Sequence, residues 1–463
     1  MMSWYRDIKC ILAAESELWL CYLHGKQLHN RTLFTKVKPP HSGLFLQIVK
    51  FLYVLFLDTR FAKTNRSLHP STFFSFVGSA NQLASLEQTL ASIERGGERS
   101  VVVLNRTVLS EKEREQRGYI TLQLSPLEAV RVAVLFFRRG IGLYRMVKAI
   151  HPVSVRWHFA YFCNVYKYLV YFHSAFSQNK PEFVITANDH SVPNRCMLAV
   201  AHHFGIKTVY LQHASVSNIF PALRVNYAFL DGQSALDTYR ECELNQPSTF
   251  RRAPIPEVIL SGQKKHLKRI EKSPTNILGI ALNALDDAVL GIAFINKLVE
   301  HGMNVRLRWH PALSNQEKQQ FHDAFSKSSK VTLSDPKQEP ISTFMEQISW
   351  LIAGNSSIHL EAALAGVMPI YYELMEPDQP DYYGYVKHGL ALTASSVDEV
   401  LMLMDRVKQD EQSNKNAVRY YSATYLTEWD GKEGQLVADC LMKISEGVQP
   451  EELPGYVSFY DNK

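Results

Sequence analysis

Four short segments of this 463-residue chain combine residue types that handle anions or protons. In Arg308-Trp-His310-Pro311, proline forbids further extension and fixes a turn, so His310 can donate to a phosphate oxygen. A histidine that merely finishes a strand is the plainer reading. In Gly354-Asn-Ser-Ser-Ile-His-Leu-Glu361, Asn355, Ser356 and Ser357 fall where a helix begins, beside free backbone amides that favour an anion. Ordinary N-capping is the alternative for the serines. Glu361 lies one turn further in, placed for a ribose hydroxyl or for solvent. In Thr186-Ala-Asn-Asp-His-Ser191, Asp189 and His190 are base candidates for an attacking hydroxyl. Asp189 can equally cap a helix starting near Pro193. In Leu211-Gln-His-Ala-Ser215, with Asp231-Gly232 downstream, His213 is either a third base candidate or a buried, hydrogen-bonded histidine.

All four follow short apolar runs that read as strands. Phe73–Val77, Ser100–Leu104, Phe183–Thr186 and Lys207–Leu211 alternate with helical segments in the first half. A second series runs through 276–281, Asn304–Arg308, 331–333, Trp350–Ala353 and 367–372. Apolar strands alternating with helices predict α/β architecture with parallel sheets covered on both faces. The reading is two doubly wound, Rossmann-like domains facing a cleft, with the chemistry in loops after strands. Residues 1–70 form a helical, basic N-terminal extension. Residues 71–255 form the acceptor domain, 256–275 a linker, 276–430 the nucleotide-donor domain and 431–463 a tail.

Hydrophobic residues at 46% and charged residues at 21% describe a globular chain with real cores. A net charge of +5 is too small to point to nucleic acid. Six scattered cysteines without a CxxC pair speak against disulfides and structural zinc and for a reducing compartment. The run 43–57 is apolar but divided by Lys50 and short for a span, so it reads as a buried, amphipathic or membrane-surface helix. A dinucleotide fingerprint, Walker loop, HExxH and GxSxG are all missing from the sequence.

At His310-Pro311 and Ser356-Ser357 the chain resembles bacterial GT-B glycosyltransferases that use CMP-activated acidic sugars, the sialyltransferases and Kdo transferases. The resemblance extends over residues 183–390. It implies a GT-B fold, and it implies that the HP turn and the serine pair bind the CMP phosphate. It also implies an acidic base in the N-terminal domain; Asn188-Asp189-His190 departs from the sialyltransferase pattern of an acidic pair followed by glycine. The Gln212-His213-Ala214 run and the aromatic Asp381-Tyr-Tyr-Gly-Tyr385 stretch are similar to CDP-glycerol glycerophosphotransferases, which carry glycine after the histidine.

The expected function is transfer of Kdo or sialic acid from a CMP-sugar to a surface polysaccharide or lipooligosaccharide. The acceptor is a saccharide or lipid-linked saccharide. Alternatives are a CDP-alcohol polyol-phosphate transferase, a non-catalytic polysaccharide assembly subunit and a nucleotide-sugar epimerase of the same architecture. Because CMP is itself the leaving group, no metal or other cofactor is expected. The expected location is cytoplasmic, peripheral on the anionic inner face of the cytoplasmic membrane.

Overall fold

The computed structural model describes residues 3–15, 43–60, 70–150, 152–218, 220–245, 254–264, 277–283, 286–375, 379–406 and 411–460. The chain opens with helices α1 (Ser3–Ala14) and α2 (Leu44–Arg60). It continues through β1 (Phe73–Val77), α3 (Ala80–Arg95), β2 (Ser100–Leu104), α4 (Glu111–Gln116), β3 (Ile120–Thr121), α5 (Pro126–Ile150) and α6 (Pro152–Gln178). Then come β4 (Phe183–Thr186), α7 (Val192–His203), β5 (Lys207–Leu211), β6 (Tyr227–Leu230), α8 (Gln233–Cys242) and β7 (Glu257–Leu260).

A second series follows: β8 (Ile277–Ala281), α9 (Ala288–Glu300), β9 (Asn304–Arg308), α10 (Asn315–Phe325), β10 (Val331–Ser334), α11 (Ile341–Glu346) and β11 (Trp350–Ala353). It ends with α12 (Ile358–Leu364), β12 (Met368–Tyr371), β13 (Leu392–Thr393), α13 (Val397–Arg406) and α14 (Glu411–Tyr421). The last elements are α15 (Glu433–Ser445) and β14 (Tyr456–Val457).

Two compact units result, residues 1–264 with 432–463, and residues 265–431. In the first, the strand order is β14-β7-β6-β5-β4-β1-β2-β3, parallel except for the antiparallel β14–β7 pair. Strands β1, β4 and β5 are almost wholly buried, as sheets covered by helices on both faces require. In the second unit the order is β10-β9-β8-β11-β12-β13, all parallel. Each sheet reverses direction once, between β1 and β4 in the first and between β8 and β11 in the second. Those are the topological switch points, where open α/β sheets leave a crevice beyond their carboxyl ends.

Three expected boundaries move. The range 256–275 holds β7, a sheet strand, and Lys264, buried in an ion pair with Asp231 at 3.2 Å, so the first unit runs to residue 264. The prolines and basic residues around it are polar enough to imitate a linker. Residues 431–463 are no tail: α15 packs on α3, and a Cβ on Gly434 would come within 2.7 Å of Gln88. Residues 1–70 are not a separate extension either. Helix α1 buries Trp4, Ile8, Ile11 and Leu12; its Asp7, and Glu15 just beyond it, pair with His173 and His202 at 3.1 and 3.2 Å.

Candidate functional site

In the first unit the segment after β4 lies at the switch point. Thr186 turns the chain by donating its hydroxyl to the Asn188 carbonyl and accepting the Asn188 amide. Asn188 Oδ1 then takes the amides of His190 and Ser191, at 3.1 and 2.6 Å. Asn188 therefore serves the approach to α7, the role the capping alternative gave Asp189. The Asp189 carboxylate, 8% exposed, is directed at side chains. Its Oδ1 is 2.7 Å from His190 Nδ1, and its Oδ2 accepts from the Tyr239 hydroxyl at 3.0 Å. The Tyr239 and Tyr210 hydroxyls are themselves 3.0 Å apart. Burial, reinforced by the Asp189 charge, holds both phenols well above their usual pKa, so they stay protonated donors.

His190 is only partly buried, and its ring lies tilted against Phe220, centroids 4.7 Å apart. With Nδ1–H given to Asp189, Nε2 is the accepting nitrogen of the ring, 3.4 Å from Asn188 Nδ2. His213 lies in the loop after the adjacent strand β5, three residues beyond Tyr210, whose partner in the ladder is Thr186. Gln212 ties that loop to the next strand, accepting the Asp231 amide at 2.8 Å and donating to Ala214 O at 3.0 Å.

In the second unit the remaining candidates flank β8. Ala312 N–H donates to His310 Nδ1 at 3.2 Å, so the neutral ring carries its hydrogen on Nε2, and the residue is exposed. His310 and Pro311 thus form a turn that presents a donor. Two strands away, Asn355 is fixed on both sides: it donates to Gln379 O at 2.7 Å and accepts from Tyr382 N at 2.8 Å. Ser357 holds the N-cap position of α12 but has helical dihedrals (φ −64, ψ −11) and makes no side-chain capping bond. Ser356 Oγ accepts only a long bond, 3.4 Å, from Ile358 N. The serines are half-exposed, and ordinary capping accounts for little of their hydroxyl capacity. Glu361, partly exposed, lies one turn on, and its charge reaches Arg308.

Arg308 departs from the expectation of a phosphate ligand. It is buried, donates to Ser334 Oγ at 2.8 Å and Glu339 O at 3.0 Å, and lies over the Phe344 ring. It braces the strand beneath His310.

Sequence reasoning missed four residues that shape these edges. Tyr239, fifty residues from Asp189, is one. His359 is another: it is fully buried, bonded through Nε2 to Gly354 O at 2.9 Å, and burial pushes its pKa down to about 4. Only the His-Leu-Glu spacing after the serine pair hinted at it. Glu373 lies against Gly354, where an added Cβ would sit 2.6 Å from Oε2. Asp286, bonded to Asn283 at 2.7 and 3.0 Å, is pushed up to about 6 by burial, with the Glu373 charge adding to the effect. Its neighbour Asp287 caps α9, as a helix start requires. Among the described residues no three His, Cys, Asp or Glu side chains converge as a metal would need.

No protein-family model and no curated protein matches the chain. Among solved structures it is similar to a provisionally designated UDP-N-acetylglucosamine 2-epimerase from Listeria monocytogenes. Identity is 12% over 82% of this chain and 98% of that one, with a TM-score of 0.52. It is also similar to the UDP-GlcNAc 2-epimerase of Neisseria meningitidis bound to UDP-GlcNAc, with 11% identity over 80% and 99% and a TM-score of 0.51. These likenesses concern the fold, which is GT-B-like: two Rossmann-type α/β units with parallel sheets.

Proposed function

We propose that the chain is a glycosyltransferase that moves a sugar from a nucleotide-activated donor to a saccharide or lipid-linked saccharide acceptor. The observation that carries this reading is the pairing of chemistry with topology. A carboxylate–imidazole dyad lies at the switch point of one sheet, and exposed hydroxyl and imidazole donors flank the switch point of the other.

In this reading His190 Nε2 takes the acceptor hydroxyl's proton as the oxygen bonds to the anomeric carbon, and Asp189 stabilises the resulting imidazolium. The bond from the anomeric carbon to the leaving phosphate breaks, and its electron pair stays on the phosphate oxygen. His310 Nε2–H and the Ser356 and Ser357 hydroxyls hold that anion. Asp189 becomes the orienting carboxylate, His190 the base, and His213 a group for acceptor binding in the loop after the adjacent strand. Arg308 and Asn355 position the donor loops.

For the donor we favour a CMP-activated acidic sugar, Kdo or sialic acid, on the strength of the HP turn and the serine pair. Titrating the full chain with CMP, CDP, UDP and GDP tests it, because a ligand that binds the native state raises its melting temperature. Cytidine preference supports the reading, and a clear UDP preference sinks it. The neighbours motivate a second reading, nucleotide-sugar epimerisation. Sugar isomerisation without an acceptor would favour that one.

A further inference from the structure

The helices that cover one side of the first unit leave a large apolar surface bare. Helix α2 buries Gln47, Phe51 and Leu55, one residue per turn, with the Phe51 ring 5.2 Å from Phe136 of α5. Its opposite side exposes apolar side chains: Phe45 at 76% and Phe56 at 60%, with Leu46, Val49 and Tyr53 between them. Helix α5 does the same. Phe136 is buried, yet its ring neighbour Phe137, 5.5 Å away, is 70% exposed, and Ile141 one turn on is 69% exposed. The Phe51–Phe136 contact packs the two helices side by side, each carrying a bare apolar face.

Charge selects what covers this surface. Exposed Lys50 on α2 and exposed Arg138, Arg145 and Lys148 on α5 are set among the apolar side chains. The sole carboxylate of α5, Glu128, is buried, and Asp58 of α2 is engaged by Lys167. A second copy docked on this face would bring like charges together. An anionic bilayer surface satisfies both features, since apolar side chains enter the acyl boundary while basic groups meet headgroups. No described helix is long and apolar enough to cross a membrane, so the helices lie along it.

We propose that the α2–α5 face docks on the surface of an anionic lipid bilayer. The sequence offered such a contact only at the run 43–57; Phe137, Ile141 and three basic residues of α5 extend it into the body of the unit. The basic residues 26, 31, 36 and 38 lie outside the described residues. This proposal does not depend on the reaction proposed above.

The test is sedimentation of the full chain with vesicles of phosphatidylcholine plus phosphatidylglycerol, against phosphatidylcholine alone, at low and high salt. Binding should require the anionic lipid and weaken with salt. Lys50→Glu with Arg145→Glu should weaken it by about fivefold or more per residue. Phe137→Asp with Ile141→Asp should abolish it. All these side chains are exposed, so nucleotide binding and melting temperature should be unchanged and report intact folding. Absence of binding to anionic vesicles, or equal binding by the variants, overturns the proposal. So does a dimer that the Phe137 and Ile141 changes convert to monomer without any vesicle binding, which would assign the face to a second copy.

Discussion

The carboxyl edges of the two sheets are built on opposite plans. In the first unit the groups that could move a proton are tied to one another: His190 to Asp189, Asp189 to Tyr239, Tyr239 to Tyr210, with only the imidazole reaching the surface. In the second unit the candidate groups are less engaged, His310 exposed and the two serines half-exposed, while Arg308, Asn355 and His359 are held by hydrogen bonds. The difference fits the tasks proposed for them. A base needs a set protonation state, which buried partners impose. An anion site needs donors that are unspent yet held still, which braced backbone supplies.

The comparison is broken most severely by removing the imidazole. His190→Ala should lower turnover by about 10²–10⁴-fold while nucleotide affinity stays near normal. Asp189→Asn should fall in the same direction and shift the pH–rate profile. If Asp189→Asn is inactive while His190→Ala turns over normally, the carboxylate itself is the base. Loss confined to His213→Ala would move the base to the neighbouring strand.

The next effect is on stability. His359, near 4 when folded and 6.5 when exposed, binds a proton more readily unfolded. Its stabilisation is complete above pH 6.5 and is lost as pH falls towards 4, an amount of about 3 kcal/mol. Urea titrations of wild type and His359→Phe at pH 7 and pH 4 should show their stability difference shrinking by that amount. Asp286 works in the opposite sense, since its raised pKa makes the folded chain gain stability as pH falls through about 6. The wild-type curve alone would therefore understate the histidine.

Removing the exposed donors should cost less. His310→Ala, or Ser356→Ala with Ser357→Ala, should weaken nucleotide binding by about 1.5–3 kcal/mol without a change in melting temperature. Unchanged binding constants would return these residues to turn-forming and capping roles. The smallest effect is expected from Asn188→Ala, about 1 kcal/mol of stability, with a proportionally larger loss of turnover because the loop carrying Asp189 and His190 loosens.

How much of this was legible depended on the range of the interaction. Phe73–Val77, Lys207–Leu211 and Asn304–Arg308 are bounded by local turn and cap residues; the first two are written in β-branched and aromatic runs, and the third in an alternation of apolar Val305 and Leu307 with polar neighbours. The HP turn and the serine pair are equally local. Tyr239 meets Asp189 across fifty residues, and no spacing announces it. Glu257–Leu260 is strand because β6 and β14 accept it on either side, whereas its polar, proline-rich surroundings suggest a linker. The burial of α1 is likewise a tertiary fact, since nothing in Ser3–Ala14 names the helices it packs on.

The return of the chain to its first unit has a consequence for biosynthesis. Residues 265–431 are contiguous, so the second unit can fold as soon as it leaves the ribosome. The first unit cannot finish then: α15, with Leu436, Val437, Leu441 and Ile444 buried, and β14 are translated only after it. Until they arrive, the face of α3 and the outer edge of β7 stay uncovered through the synthesis of the whole second unit. An unpaired strand edge of this kind is an aggregation hazard. A chain truncated before α15 would keep that hazard permanently, and chaperone occupancy on stalled nascent chains should peak between the completion of β7 and the release of β14.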